Sequence, residues 1–241
     1  MFAMKNLKNL TIILLAAAII SVMLQGCGVN VFGEKISEGV ITYRLEYPDG
    51  ENNNSLVMML PPQMTMVFKD NNTLMSIKGF AGCFVLNTIA NNAKKQNYTM
   101  LSVGFDQKYM LVSDFGDAPF GTNSMSDMEI TTTADTMTIC GYLCNKATGH
   151  SKQCNRDFTF WYTKGININS DCILSPVKSI DGVLMAFDVE MMGIYMKAKA
   201  VEVTRADIAS DVFEKPGGFK EVTRTELENV IHSFDGSSKK D

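Results

Sequence analysis

The sequence is short of the material from which most enzymes and nucleic-acid binders are built. Only two histidines occur in 241 residues, His150 and His232, so imidazole chemistry has little to work with. Basic charge is not in excess. The formal net charge is −4, and residues 1–26 hold two of the 22 basic residues and none of the 26 acidic ones, which leaves the remainder at −6. A polyanion binder carries a basic footprint, so its absence argues against nucleic acid as a partner. G-x-S-x-G, G-x-G-x-x-G, a Walker loop and H-E-x-x-H are all missing, and nothing calls for a cofactor. C-x-x-C is missing too, which removes the thioredoxin type of thiol chemistry. The charged fraction is low at 20%, but the hydrophobic fraction of 46% suffices for a core, so the chain is not disordered as a whole.

One long hydrophobic run is present, at the N-terminus. Lys5 and Lys8 precede fifteen apolar or near-apolar residues from Leu10 to Leu24. A bilayer span needs roughly 20 residues, and the shorter run suits the h-region of a secretory signal. It ends in Leu24-Gln25-Gly26-Cys27, which resembles the bacterial lipobox, with Gln25 departing from the usual choice at the tolerant position. That resemblance implies a signal over residues 1–26, lipidation of the Cys27 thiol and anchoring in a membrane by acyl chains. An ordinary cleaved signal and an uncleaved anchor are the alternatives. Residues 27–37 then form a tether. No acidic cluster resembling the surface-export signal of Bacteroidota lipoproteins follows Cys27, which implies a periplasm-facing position on the outer membrane.

From Glu38 the hydrophobic period is two. Ile41, Tyr43, Leu45 and Tyr47 share one face of a strand, and Thr42, Arg44 and Glu46 share the other. Similar short runs cover Leu56–Leu60, Met64–Lys69, Leu74–Lys78, Cys83–Ile89, Tyr98–Val103 and Tyr109–Ser113, separated by Pro, Asn and Asp turn material. Spacing near ten residues predicts an antiparallel meander rather than βαβ units. Asp114 to Asp135 reads as a long loop or lid. A hairpin is expected from Thr136–Ala147 and Lys152–Thr163 around Thr148–Ser151, and an antiparallel pair from Val183–Met192 and Ile194–Thr204. Trp161 and Tyr162 fall on opposite faces by alternation. Leu227, Val230, Ile231 and Phe234 recur at helical spacing, with Thr225 and Glu228 placed as a capping box, so residues 224–241 are a short amphipathic helix and a tail. The domain proper is 38–223.

Several stretches in order resemble an uncharacterised domain family of Bacteroidota lipoproteins: the opening EGVITYRLEYP (38–48), LPPQMTMVFKDNNTLMSIKG (60–79), ICGYLCNKAT (139–148) with FTFWYTKGI (158–166), DGVLMAFDVEMMGIYMKAKAVEV (181–203), and VFEKPGGFKEVT (212–223). The resemblance implies the architecture of the lipoprotein carriers LolA and LolB: a mainly β, curved antiparallel sheet, an incomplete barrel with an apolar concave face. The chain departs from LolA in lacking a helix before the first strand and helical lid segments.

Seventeen methionines is a high count, and fourteen follow Cys27. Methionine is flexible and over-used on surfaces that accept varied apolar partners. Met64, Met66, Met100, Met110, Met185 and Met196 are therefore candidates for the lining of an apolar groove, with a Met-rich packed core as the plainer reading. The expected role is non-enzymatic binding of a lipid or other apolar ligand. A structural lipoprotein with an envelope protein partner is the alternative.

The cysteines are the remaining candidates for chemistry. Export puts them in an oxidising compartment. With Cys27 lipidated, Cys83, Cys140, Cys144, Cys154 and Cys172 remain, an odd number. Cys144 and Cys154 are symmetric about Gly149 in the expected hairpin, which makes them the preferred disulfide. Cys140 is placed on the strand face of Cys144, with Cys172 or Cys83 left as partner. Cys140, Cys144, His150 and Cys154 also supply four zinc-type ligands within fifteen residues, a weaker reading because a regular strand spreads the first two apart.

Overall fold

The computed structural model describes residues 35–51, 60–79, 82, 84–104, 106–169 and 177–234. The expected signal, the lipidation site Cys27, most of the strand expected at Leu56–Leu60, and Cys83 and Cys172 lie outside the described residues. From Glu34 onward the chain forms one compact unit.

Among the described residues, twelve strands make a single open sheet: β1 (Glu38–Glu46), β2 (Gln63–Lys69), β3 (Asn72–Lys78), β4 (Phe84–Asn91), β5 (Gln96–Val103), β6 (Gln107–Asp114), β7 (Glu129–Ile139), β8 (Tyr142–Ser151), β9 (Arg156–Thr163), β10 (Val183–Met191), β11 (Ile194–Thr204) and β12 (Lys220–Glu221). Their order is β12-β6-β5-β4-β3-β2-β1-β11-β10-β9-β8-β7. Every pairing is antiparallel except that of β12 with β6. Three hairpins turn on two residues with positive φ, the primed conformation that matches strand twist: Asp70-Asn71, Cys140-Gly141 and Met192-Gly193. Among the described residues there is one α-helix, α1 (Arg224–Phe234), which follows β12. Its capping box lies two residues earlier than expected. Thr223 Oγ1 accepts from the Glu226 N–H at 3.3 Å, and the Glu226 carboxylate accepts from the Thr223 N–H at 2.7 Å.

The sheet is mainly β, curved and not closed into a barrel, and long-range contacts trace its curvature. The Tyr43 hydroxyl on β1 donates to Leu184 O on β10 at 2.9 Å, passing over β11. The Cys140 thiol in the β7–β8 turn reaches Ala200 O on β11 at 3.4 Å. Ile36, just before β1, bridges to Ile166, just after β9.

Two faces follow from the register. The inner row Ile41–Met66–Met75–Thr88 crosses β1 to β4, and the row Leu45–Ala198–Phe187–Phe160–Ala147 crosses β1 to β8. These rows feed the main core. The inner face of β4–β6 carries Leu101 and Leu111, which pack against Phe120 of the β6–β7 loop and Leu227 of α1. The back of β2–β6 is covered by the segment after β11, whose Phe213 meets Ile89, Tyr98, Met100 and Met110. Lys69 Nζ donates to Ile208 O at 2.6 Å and Asn91 Nδ2 to Phe213 O at 3.0 Å, which fastens that segment down.

The expected loop Asp114–Asp135 is shorter than its composition implied. It ends at Met128, and Glu129–Asp135 extend the edge strand β7. Thr131, Thr132 and Thr133 carry strand propensity, and a register shift between Thr132 and Thr136 absorbs two extra residues of Thr133–Asp135 opposite Lys146. Asp127 ties the loop to the β8–β9 turn. Its carboxylate accepts from Ser151 Oγ at 2.8 Å, Lys152 N at 3.0 Å and Gln153 N at 3.2 Å. Those bonds, the Ser151 hydroxyl foremost, hold its pKa below the usual 3.8. A depressed folded pKa contributes stability that is present above the unfolded pKa and lost as pH falls through the folded one. Asp127→Asn is therefore expected to flatten the acid limb of the unfolding curve below about pH 4, as read by urea denaturation at pH 3 and pH 6.

Candidate functional site

Between the inner faces lies an apolar cavity of about 80 Å³. Strands β1 to β4 contribute Tyr43, Leu45, Met64, Met66, Met75, Ile77, Leu86 and Thr88. The opposing β10–β11 pair contributes Val183, Leu184, Phe187, Val189, Met191, Met196 and Ala198, and Pro119, Phe120 and Thr122 from the β6–β7 loop form the roof. Among the described residues, no lining side chain carries a charge. The one ionisable group among the described lining residues is the Tyr43 phenol, whose pKa burial pushes far up and whose proton is given to Leu184 O. Thr122 donates its hydroxyl to Pro119 O at 3.0 Å. Apart from Thr88, the wall offers a ligand dispersion contacts and little else.

Of the six methionines singled out from the sequence, three line this cavity: Met64, Met66 and Met196. Met100 and Met110 do not. They face each other on the back of β5 and β6 under Phe213. Met185 is also excluded. It is fully buried at the bulge between Leu184 and Ala186, away from the lining. The error has a simple origin. Met100 precedes Leu101 and Met110 precedes Leu111, so two apolar residues in succession left the facing open. Met75 and Met191 belong to the lining instead, and their alternation with Ser76 and Glu190 was the available signal. Phe120 and Thr122 had none, because they reach the cavity through loop packing. Tyr162 does face the core, and Trp161 stands half-buried on the other face with the Lys146 ammonium 5.7 Å from its ring centre.

Among the described residues, the expected cysteine pairing does not form. Ser151 pairs with Arg156, so the hairpin turns at Lys152–Asn155, not at Thr148–Ser151. Cys144 faces Met137 on β7, whereas Cys154 sits in the turn, its thiol 3.8 Å from Ser124 O. Seven residues of strand separate Cys144 from Ser151, roughly 23 Å, which rules out the Cys144–Cys154 disulfide. Gly149 misled because it looks like a turn residue. It stays in the strand because Met128 and Ile130 pack on it, and a Cβ there would lie 2.6 Å from Met128 Sδ. Cys140 occupies the β7–β8 turn rather than the strand face of Cys144, and Cys140, Cys144 and Cys154 are free thiols. Zinc ligation by Cys140, Cys144, His150 and Cys154 fails on the same geometry. His150 Nδ1 instead lies 2.8 Å from Asp157 Oδ1 on the exposed side of β8. Among the described residues no three His, Cys, Asp or Glu side chains converge on a metal position.

Burial pushes the Cys144 thiol up to about 11 from 9.0. Two pH units mean about 100-fold less thiolate at pH 8. Alkylation of the native protein is expected to mark Cys154 within minutes and to leave Cys144 unmodified until the chain unfolds, as followed by peptide mass mapping.

No family model matches the chain, and no curated protein matches it. Solved structures do. The chain is similar in fold to PNGF-II. The structure in space group P21 aligns with a TM-score of 0.54 at 14% identity, over 81% of this chain and 33% of PNGF-II. The structure in space group C2 gives 0.53 at 14% identity, over 81% and 32%. The chain thus spans about a third of the length of PNGF-II, and at this identity the likeness concerns the fold alone. It agrees with a mainly β, open antiparallel sheet with a short C-terminal helix.

Proposed function

We propose that the chain is a lipid-anchored envelope lipoprotein, held in the outer membrane at Cys27 and facing the periplasm, that binds an apolar or lipid-like ligand on the concave face of its sheet without catalysing a reaction. Kinship with the uncharacterised Bacteroidota lipoprotein family and its LolA/LolB-like architecture is part of this proposal. The observation that carries the ligand reading is the uncharged lining of the cavity, in which Met64, Met66, Met75, Met191 and Met196 supply deformable walls. The lipobox-like Leu24-Gln25-Gly26-Cys27 carries the anchoring.

A soluble form, residues 28–241, contains the whole compact unit that begins at Glu34. Purified from a heterologous periplasm, it is expected to show an acyl or isoprenoid species at near-stoichiometric amount when native and denaturing mass spectra are compared and the protein is extracted with organic solvent. A clean apo mass, with no uptake of added long-chain lipids, would refute the ligand reading. It would favour a packed structural lipoprotein that acts through a protein partner. Growth in labelled palmitate is expected to label the full chain and not its Cys27→Ser variant.

A further inference from the structure

The cavity is smaller than the ligand class proposed above requires. About 80 Å³ compares with roughly 300–1,000 Å³ for ligand pockets, so a wall must move. The strands flanking the cavity are held by ladders on both sides. The roof is held far more lightly. Pro119–Thr122 forms its own turn, since Thr122 N–H and Oγ1–H both donate to Pro119 O at 3.4 and 3.0 Å. On one side Gly121 O accepts from Met192 N–H at 2.8 Å, and a Cβ at Gly121, which sits at φ 79°, would fall 2.8 Å from Met192 Cγ. On the other side α1 grips the turn. Arg224 donates from Nη2 to Ala118 O at 3.1 Å, its guanidinium lies 6.0 Å from the centre of the Phe120 ring, and Leu227 packs on Phe120. The grip is incomplete, because Arg224 Nη1 is buried with no partner among the described residues.

We propose that α1 is the latch of the cavity: when its first turn loosens, Arg224 and Leu227 release Phe120, and Pro119–Thr122 lifts as a flap that admits an uncharged apolar ligand. The proposal rests on the apolar-ligand reading and names the moving part. The Thr223–Glu226 capping box, remote from the cavity, sets how tightly the latch is held. Loss of a cap is worth roughly fivefold in the population of a loosened helix end.

The test compares residues 28–241 with Thr223→Ala and Arg224→Met, the latter keeping an apolar stem while losing the donors. Stopped-flow binding of N-phenyl-1-naphthylamine, an uncharged apolar fluorophore, is expected to show the association rate raised about fivefold in each variant with the dissociation rate little changed, so that Kd falls by a similar factor. Amide exchange at Met192, whose N–H bonds the flap, is expected to rise by a similar factor while β1 and β2 amides stay unchanged. Normal fluorophore binding with unaltered rates and unaltered Met192 exchange would overturn the latch and leave the ligand reading standing. Faster Met192 exchange with no binding in any of the three proteins would overturn the ligand reading, and the latch with it, since the flap would admit nothing.

Discussion

Replacing Phe213 by alanine is expected to destabilise the domain by about 3–5 kcal/mol, the usual range for a large aromatic lost from a well-packed site. Phe213 is 2% exposed and is the centre of the cluster on the back of the sheet, where it meets Ile89, Tyr98, Met100 and Met110. Its short 3-10 segment, Ser210–Phe213, is anchored by the Asn91 side chain, so the hole cannot easily be filled by sliding the segment inward. For a chain of this size each kcal/mol lowers Tm by roughly 2–4 °C, which predicts a fall of roughly 6–20 °C in calorimetry. The cost would arise on the face opposite the cavity. Ligand affinity measured well below the new Tm should therefore stay within twofold. A loss under 1 kcal/mol would mean that the segment after β11 is a loose cover and not part of the core.

The strands were legible because one-sided burial writes a period of two into the sequence. The opening strand and the pair on either side of Gly193 were placed almost to the residue, and the C-terminal helix was found from Leu227, Val230 and Ile231. Turn chemistry was legible only where it is local. Asp70-Asn71 announces itself, whereas Cys140-Gly141 looks like strand until Ile139 is seen to pair with Tyr142. That one missed turn displaced the next hairpin, and with it the expected partnership of Cys144 and Cys154. Facing failed wherever apolar residues ran in succession, as at Met100-Leu101 and Met110-Leu111, since alternation then carries no sign. The roof was invisible for a different reason. Phe120 and Thr122 lie in a stretch that is polar and small on average, and their burial is decided by α1 and Met192, 70 or more residues away in sequence.

Packing and binding draw on the same atoms here, and they can be separated at Ala198. This residue lies on β11 between Leu45 and Phe187 in the inner row and lines the cavity. A water's share of liquid volume is about 30 Å³, so the cavity of about 80 Å³ takes two or three extra heavy atoms. Ala198→Leu adds three. Filling empty volume returns about 24 cal/mol per Å³, or at most about 2 kcal/mol, against an overpacking cost of about 1–3 kcal/mol. The two nearly offset each other, so stability by urea denaturation should change by less than about 1.5 kcal/mol. Apolar ligand affinity responds differently, because a leucine anchored on a central strand cannot be lifted as the roof can. Kd for N-phenyl-1-naphthylamine is expected to weaken at least 30-fold, with the fold intact by circular dichroism. If Ala198→Leu bound the fluorophore as well as the parent protein, the ligand would not occupy the space beneath Phe120, and the concave face would be core alone.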